Sequence, residues 1–272
     1  MLQKKNNLLA LAFIFSGVCP SVIAESLING DSGEVIAMDA VAPLQSDQMI
    51  IKTSAGNFQL TGLPFVKKEH LITRHSQDIR VQFINFGESR ITIADNSKVT
   101  LSKEDQSRAT KEALEIKKAL SQSTLEFTPS FNFIAPVPGA ITSPFGKQRF
   151  INGLARSPHL ALDLRGAVGT SIVAPLKGKV VLVGDFFYTG HTLILDHGYG
   201  LFSSYAHMSE VSAEINSFVE QSQLIGLVGK TGRVTGPHLH WTVYFDGNKV
   251  NPESLIKKDY LASILQAAKD RS

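Results

Sequence analysis

The chain has 272 residues, of which 43% are hydrophobic and 19% are charged, and its formal net charge is +3. This composition is that of an ordinary soluble globular protein with one large domain or two modest ones, and it says little about chemistry. The sequence has no basic stripe with interleaved aromatic residues, so nucleic acid is not expected as a partner.

The first 24 residues have the layout of a secretory signal peptide. Lys4 and Lys5 precede an apolar run from Leu8 to Val18, and a small-residue cleavage site ends at Ala24. A buried N-terminal helix is the alternative, but the charge, the apolar run and the cleavage site occur in the order of a signal. The run is too short to span a bilayer. We therefore expect export to the periplasm or cell envelope, or secretion, with no stable membrane insertion after cleavage.

The only cysteine, Cys19, lies inside this predicted signal. Cleavage after Ala24 leaves no cysteine, which excludes disulfides, cysteine zinc ligands and a thiol nucleophile. A lipid-anchored protein would use such a cysteine as its anchor, but Ser16, Gly17 and Val18 fit the required motif poorly. Cleavage after Ala24 is therefore favoured.

The part of the chain from residue 25 to residue 133 shows two kinds of pattern. Residues 25–101 contain short runs rich in Val, Ile, Phe and Thr, with hairpin connections at residues 54–57 and 95–97, and they predict a small antiparallel β domain. Residues 102–123 then predict a helix, because Ser102 is followed by acidic residues and helix formers without Gly or Pro. Its narrow apolar stripe is typical of a connector that lies on a domain, and residues 102–133 are interpreted as this helix and a linker.

Residues 134–272 return to strand patterns. Runs such as TSIVAPLKGKVVLVGDFF and HTLILDHGYGLFSSYAHM are separated by turns that contain Gly. From Pro252 the chain predicts one amphipathic helix, or a short helix and a tail. The fold class is therefore mostly β, with a compact antiparallel C-terminal domain preceded by a small β domain and a connecting helix.

The stretch GPHLHWTVY carries the first chemical signal. Strand alternation places His238 and His240 on one face and Leu239 and Trp241 on the other. Residues two apart on a strand lie about 6.5 to 7 Å apart, so both imidazoles can address one ion. Taken alone, the pair is either a metal site or two solvated residues on an exposed sheet face.

The stretch SPHLALDL repeats this alternation with His159 and Asp163. Four residues of ideal strand span about 13 Å, whereas two ligand atoms of a tetrahedral zinc lie only about 3 to 3.5 Å apart. The two residues therefore share a metal only if the chain bends. We favour a bend at Pro158 and His159, with His159 at the entrance of the strand.

A third stretch, SSYAHMSEV, supplies His207, which by itself is an ordinary histidine at a strand end. The three stretches together offer one carboxylate and several imidazoles from separated segments. This is the ligand set expected of a catalytic zinc ion with an open fourth position.

The motifs HLALD, YAHMS and GPHLHW, in this order, resemble those of the lysostaphin-like (LytM-type) zinc endopeptidases. The flanking segments ITSPFGKQR, GTSIVAPLKGKVV and LIGLVGKTGRVTGPHLHW agree, so that the resemblance covers residues from about 134 to 255. It implies that His159, Asp163 and His240 bind one Zn²⁺. It also implies that His207 and His238 act on the reacting water and the substrate, and it leaves open which of the two is the general base.

The remaining histidines lack such a pattern. We interpret His191 and His197, which flank the strand TLILD, as structural or surface residues, and His70 and His75 have no partner pattern. Arg156 could contact a substrate carboxylate, with a solvated turn residue as the alternative.

The resemblance implies an exported zinc metalloendopeptidase that cuts peptide cross-links of bacterial peptidoglycan, with stem peptides as its partner. The D-alanyl to diaminopimelate bond is the first choice and glycyl bridges are the second. The alternatives are a protein that binds peptidoglycan or activates an amidase without catalysis, and a zinc hydrolase for another periplasmic protein. The family's inactive members have lost ligands, whereas this sequence retains all five positions. We further expect the N-terminal β domain to restrain activity within the molecule.

Overall fold

A computed structural model describes residues 27–92 and 101–271. The predicted signal peptide, Cys19 and the predicted turn at residues 95–97 lie outside the described residues. The predicted mostly β class is confirmed, since strands dominate and one large antiparallel sheet fills the C-terminal half. Within the described parts of the chain, no helix is both long and apolar enough to cross a bilayer.

Residues 27–92 contain seven strands before the connecting helix, and most of them form two three-stranded sheets. They are β1 (Ile28–Asp31), β2 (Val35–Asp39), β3 (Ile50–Thr53), β4 (Gly56–Gly62), β5 (His70–Arg74), β6 (Gln77–Gln82) and β7 (Glu88–Ile91). The sheet β2-β4-β3 is antiparallel, and the predicted hairpin at residues 54–57 joins β3 to β4. In the sheet β1-β6-β5, however, β1 and β6 are parallel. The expectation of antiparallel pairing was wrong for this pair, because β1 and β6 are joined by a long segment and no hairpin constrains their direction.

The connecting helix α1 (Lys103–Ala119) is four residues shorter at its C-terminal end than the sequence predicts. Ser102 is the N-cap, and its hydroxyl accepts a hydrogen bond from the backbone N–H of Asp105 at 3.0 Å. The apolar stripe, with Ile116 and Leu120, packs on a cluster that includes Leu182. The helix is therefore a connector that lies on the C-terminal sheet, as predicted.

Twelve strands form the C-terminal half. They are β8 (Ile141–Ser143), β9 (Gln148–Ile151), β10 (Leu154–Ala155), β11 (Leu162–Arg165), β12 (Ser171–Val173), β13 (Gly178–Phe186), β14 (Gly190–Asp196), β15 (Leu201–Val211), β16 (Phe218–Val219), β17 (Leu224–Val228), β18 (His238–Phe245) and β19 (Asn248–Val250). Seven follow one another in the order β16-β13-β14-β15-β18-β11-β8, and β12, β17 and β19 complete a ten-stranded sheet. The strands β15, β18 and β11, which carry the chemical motifs, are neighbours in this sheet.

The two halves of the chain share one hydrophobic core. Phe58 and Leu60 of β4 belong to the same buried cluster as Trp241 and Phe245 of β18. Two C-terminal helices follow the sheet, α2 (Pro252–Leu255) and α3 (Tyr260–Lys269), and the Tyr260 hydroxyl bonds to both backbone groups of Val35.

The N-terminal strands also contact the C-terminal half through β7. This strand pairs in parallel with β9, which in turn pairs with β10 in a third small sheet. Phe86, just before β7, packs edge to face against Phe145 at a centroid distance of 5.6 Å. The boundary near residue 101 stays a prediction, and the structure shows extensive packing across it.

Candidate active site

Strand β18 presents the two histidines of its motif on one face, as the alternation predicts. Leu239, Trp241 and Val243 are fully buried on the opposite face, in the core. The side chains of His238 and His240 keep 18% and 22% of their surface exposed. The exposed face of β18 is therefore available for chemistry, and the buried face holds it in place.

Pairing of β11 with β18 brings a carboxylate to the same face. The antiparallel register sets Asp163 directly opposite His240, and residues opposite each other project to one side of a sheet. The Asp163 Oδ1 atom lies 2.7 Å from His240 Nδ1. Sheet register alone thus explains how residues 77 positions apart meet.

A bend before β11 brings in His159, as the sequence analysis favoured. The strand begins only at Leu162, and the His159 backbone exchanges hydrogen bonds with Gly146 and Lys147. This turn points the fully buried imidazole back along the chain, and Nε2 lies 3.0 Å from Asp163 Oδ1. The separation of about 13 Å that an ideal strand would impose between His159 and Asp163 therefore does not apply.

Three atoms converge where a metal ion would bind. His159 Nε2, Asp163 Oδ1 and His240 Nδ1 are separated by 3.0, 2.7 and 3.3 Å. Ligand atoms of a tetrahedral zinc with bonds of about 2.0 to 2.2 Å lie about 3 to 3.5 Å apart. The spacing and the donor types of these residues therefore fit Zn²⁺.

The hydrogen bonds of His159 supply an independent test of this fit. Its Nδ1 lies 3.0 Å from the hydroxyl of Ser143, which can donate or accept, and 3.1 Å from the carbonyl oxygen of Pro144, which can only accept, so both contacts are satisfied when Nδ1 carries the proton. In the neutral imidazole, Nε2 then directs a lone pair at a carboxylate oxygen 3.0 Å away. A cation between the two atoms relieves this repulsion, and the bond at Nδ1 orients the ring as metal-binding histidines require.

The protonation states of the other two residues also suit a metal ion. Burial raises the pKa of Asp163, but its contacts with the His159 and His240 rings outweigh burial and hold this pKa well below its ordinary value. Desolvation lowers the pKa of His240, against the opposing effect of Asp163. At neutral pH Asp163 is therefore a carboxylate and His240 a neutral imidazole, which are the forms that bind metals.

A β-bulge brings His207 to the same face. Ala206 lies opposite His240, so strict alternation would point His207 to the other side of the sheet. Between residues 205 and 208, however, β15 has one residue more than its neighbour β14, and His207 has the left-handed φ of +64°. The His207 ring consequently lies 5.0 Å from that of His238, centroid to centroid.

Both His207 and His238 direct Nε2 toward the cluster. The Nδ1 atom of each ring donates to a backbone carbonyl, of Thr231 at 2.9 Å for His207 and of Gly236 at 2.9 Å for His238. A carbonyl only accepts, so in the neutral ring Nε2 is the proton acceptor. Burial, followed by the nearby His240, lowers the pKa of His207 to about 4, which keeps its ring neutral at neutral pH.

The five predicted residues therefore meet in one cluster, and their roles stay predictions. Two sets of three could hold a metal ion, since their ligand atoms lie within 4.8 Å of one another: His159 with Asp163 and His240, and His207 with His238 and His240. The first set includes a carboxylate and has the shorter measured separations. We therefore retain it as the predicted ligand set.

Sequence reasoning missed Arg149, which lies beside the cluster. Its Nη2 atom is 3.6 Å from Asp163 Oδ2, the oxygen that points away from the two histidines. The only signal for it was its place in ITSPFGKQR, one of the flanking segments that agree with the family resemblance. Arg156, weighed as a substrate contact, is exposed, and its carbonyl accepts a hydrogen bond from Gln148.

The other histidines do not join the cluster. His197 lies in the core, with Nδ1 bonded to the carbonyl of Lys177 and Nε2 to the hydroxyl of Ser203. His191 contacts the carbonyl of Ser209. These positions agree with the interpretation of both residues as structural.

Comparison with known proteins gives matches over the same segment. Residues 157–252 match the sequence model of peptidase family M23. The chain is 36% identical over 95 residues to the peptidoglycan DD-endopeptidase ShyA of Vibrio cholerae, covering 35% of this chain and 22% of that protein. It is 36% identical over 126 residues to the DD-carboxypeptidase/endopeptidase Mpg of Neisseria meningitidis, covering 46% and 29%. The match thus spans less than a third of the length of either relative.

A solved structure extends the likeness beyond the matched segment. A crystal structure from Pseudomonas aeruginosa, named as a candidate M23 peptidase, is 26% identical with a TM-score of 0.64, and it covers 83% of this chain and 94% of that chain. The fold is therefore shared over both halves of the molecule. The match of residues 157–252 to peptidase family M23 confirms the resemblance of this segment to the lysostaphin-like (LytM-type) peptidases.

Proposed function

We propose that the chain is an exported zinc endopeptidase that hydrolyses peptide cross-links of bacterial peptidoglycan. The observation that carries this proposal is the convergence of five side chains in one cluster at one face of the sheet. His159, Asp163 and His240 offer three ligand atoms within 3.3 Å of one another. His207 and His238 direct Nε2 toward the same place.

The residues have distinct tasks in this proposal. When bound, zinc supplies a Lewis acid that lowers the pKa of a water molecule toward about 7 and polarises the scissile carbonyl. The neutral Nε2 of His207 or His238 accepts the proton of the attacking water and later delivers it to the leaving amine. The carbonyls of Thr231 and Gly236 hold the other ring nitrogens, so that neither ring has to reorient during proton transfer.

The relatives favour the D-alanyl to diaminopimelate bond over a glycyl bridge. ShyA and Mpg are both named for activity on DD bonds. A non-catalytic role, in peptidoglycan binding or amidase activation, is the main alternative. The complete set of two imidazole ligands, a carboxylate and two further histidines argues against it, because binding alone does not require proton acceptors at a metal site.

Digestion of purified sacculi tests the proposal. The mature protein is stripped of metal, reloaded with Zn²⁺ and incubated with sacculi, and mass spectrometry identifies the fragments. We expect loss of cross-linked dimers and gain of monomers that depends on zinc and disappears in His240→Ala. Release of intact stems from sugar would indicate an amidase instead, and unchanged sacculi with bound protein would support the binding role. Casein serves as the control for a general protease.

Export is part of the proposal and has its own test. The charged segment, apolar run and cleavage site of residues 1–24 support it. Mass spectrometry of the protein from a periplasmic fraction should give a chain that begins at Glu25. A chain that retains Met1 in the cytoplasmic fraction would contradict this part.

Restraint of activity by the N-terminal strands also remains a proposal. Supporting it, β7 pairs with β9, the strand of Arg149, and Phe86 packs on Phe145 at the base of the loop that leads to His159. Deletion of residues 25–130 would remove Phe58 and expose residues of the same core cluster such as Trp241 and Phe245, so a milder change is required. Phe86→Ala loosens this contact and should raise turnover of sacculi. An unchanged or lower turnover would contradict restraint.

A further inference from the structure

His207 occupies a position that the strand alone does not stabilise. It is the extra residue of a β-bulge and has a φ of +64°, a conformation that is strained for a residue other than glycine. Its backbone N–H donates to the carbonyl of Thr189 at 2.7 Å. The direction of its ring therefore depends on contacts from outside the strand.

Thr231 supplies the contact that orients the ring. Its carbonyl accepts the Nδ1 proton of His207, yet it lies in the segment between β17 and β18, which has neither helix nor strand. The hydroxyl of Thr231 donates to the carbonyl of Met208 at 2.7 Å and accepts from the backbone N–H of His191 at 2.9 Å. The side chain is therefore tied to both strands at the bulge, and it holds its own carbonyl in place.

Two glycines let the loops approach closely enough for these bonds. A Cβ atom at Gly190 would lie 2.3 Å from the Thr231 hydroxyl and 2.4 Å from the Thr231 carbonyl carbon. A Cβ atom at Gly232 would lie 2.4 Å from the backbone nitrogen of Gly190. The backbone of Arg233 also donates to the carbonyl of Tyr188 at 3.0 Å. The loop before β14 and the loop before β18 thus form one packed wall beside His207.

We propose that Thr231 is a positioning residue for His207. Its hydroxyl, bonded to β14 and β15, fixes the carbonyl that holds the Nδ1 proton, so that Nε2 of His207 faces the site. This inference rests on the proposed function for its effect on catalysis. The link between the Thr231 hydroxyl and the His207 ring is independent of it.

The test compares Thr231→Val, which keeps the shape and loses the hydroxyl, with Thr231→Ser, which keeps the hydroxyl. Long-range ¹H–¹⁵N spectra of the histidine rings report the tautomer of His207, and hydrolysis of a purified muropeptide dimer gives kcat and KM. For Thr231→Val we expect a mixture of tautomers and a kcat lower by about 10- to 100-fold, with KM and zinc affinity unchanged. Thr231→Ser should behave like the parent in both measurements.

Thr192→Val is the matched control, because it removes two hydrogen bonds to Thr189 and Gly190 at the same hairpin without touching residue 231. It should keep the single tautomer of His207. The proposal is overturned by a parent-like tautomer and kcat in Thr231→Val, by equal damage in Thr231→Ser, or by equal tautomer mixing in Thr192→Val. If the parent cleaves no muropeptide, the proposed function fails, and the spectra still decide the role of Thr231.

Discussion

The two faces of the ten-stranded sheet each hold histidine, and the contrast between them shows how the candidate active site differs from a structural histidine in the core. On the buried face, His197 is fully enclosed, and both of its ring nitrogens have partners inside the protein. On the opposite face, His207 and His238 each use one nitrogen for a backbone carbonyl, which leaves the other for the cluster, and Nε2 of His238 lies 3.7 Å from Asp163 Oδ1. The second ring nitrogen therefore distinguishes the two kinds of histidine: in His197 it bonds within the core, and in His207 and His238 it remains for the cluster.

Removal of a predicted zinc ligand should have the largest effect on activity. His240→Ala should abolish zinc binding and lower kcat/KM for sacculi by about 10³-fold or more, since the metal contributes several kcal/mol to the reaction. His191→Ala is the control, because His191 lies outside the cluster and contacts the carbonyl of Ser209. Zinc content by mass spectrometry and turnover are measured for both. A His240→Ala protein that still holds one zinc with full activity would remove His240 from the ligand set.

The next largest effect concerns the two histidines that are not predicted ligands. His207→Asn removes the imidazole with a residue that tolerates a left-handed φ, and it should lower kcat by about 10²- to 10⁴-fold while zinc content stays at one per chain. His238→Ala should show the same separation of activity from zinc. Loss of zinc in either variant would instead favour the alternative set of His207, His238 and His240 as ligands.

A smaller effect is expected from Arg149, which contacts the outer oxygen of Asp163. Arg149→Gln should weaken zinc affinity by about 10-fold or more, because it removes the contact that orients a ligating carboxylate. Arg156→Gln is a suitable control, since Arg156 is an exposed residue. Zinc affinity is measured by competition with a chelator. Equal affinities in the parent and Arg149→Gln would show that this arginine does not support the metal site.

The smallest effect is expected for His197 on the buried face, and it concerns the pH dependence of the free energy of unfolding. Burial lowers the pKa of His197 to about 4, whereas the unfolded value is about 6.5. Between these values the unfolded chain binds the extra proton, so stability is complete above pH 6.5 and declines as the pH falls toward 4. The slope from this residue is at most about 1.4 kcal/mol per pH unit. His197→Asn should flatten the pH dependence of the free energy of unfolding, measured with chelator present, and an unchanged slope would contradict this assignment.

The sequence predicted which five side chains lie in one cluster more completely than it predicted their geometry, and their roles stay predictions. Alternation in HLHW places His238 and His240 correctly, because both faces of β18 follow the regular period of a strand. The distance conflict between His159 and Asp163 indicated a bend, and the structure shows one before β11. His207 could not be placed this way, since an extra residue in β15 reverses the direction that alternation predicts.

Elements that depend on distant pairing were the least predictable. The parallel pairing of β1 with β6 and of β7 with β9 joins segments that no local pattern relates. Arg149 reaches Asp163 only because its strand packs beside the turn at His159. Likewise, the shared core across residue 101 follows from contacts of Phe58 and Leu60 with β18, which strand propensity does not reveal.

The central claim is that His159, Asp163 and His240 hold one zinc ion and leave His207 and His238 free to transfer protons. Anomalous diffraction at the zinc edge, from crystals of the zinc-loaded protein, tests it most directly. The account predicts a single peak at about 2.0 to 2.2 Å from His159 Nε2, Asp163 Oδ1 and His240 Nδ1, with no zinc bonded to the other two histidines. A peak bonded to His207 and His238, or no peak in the cluster, would contradict it.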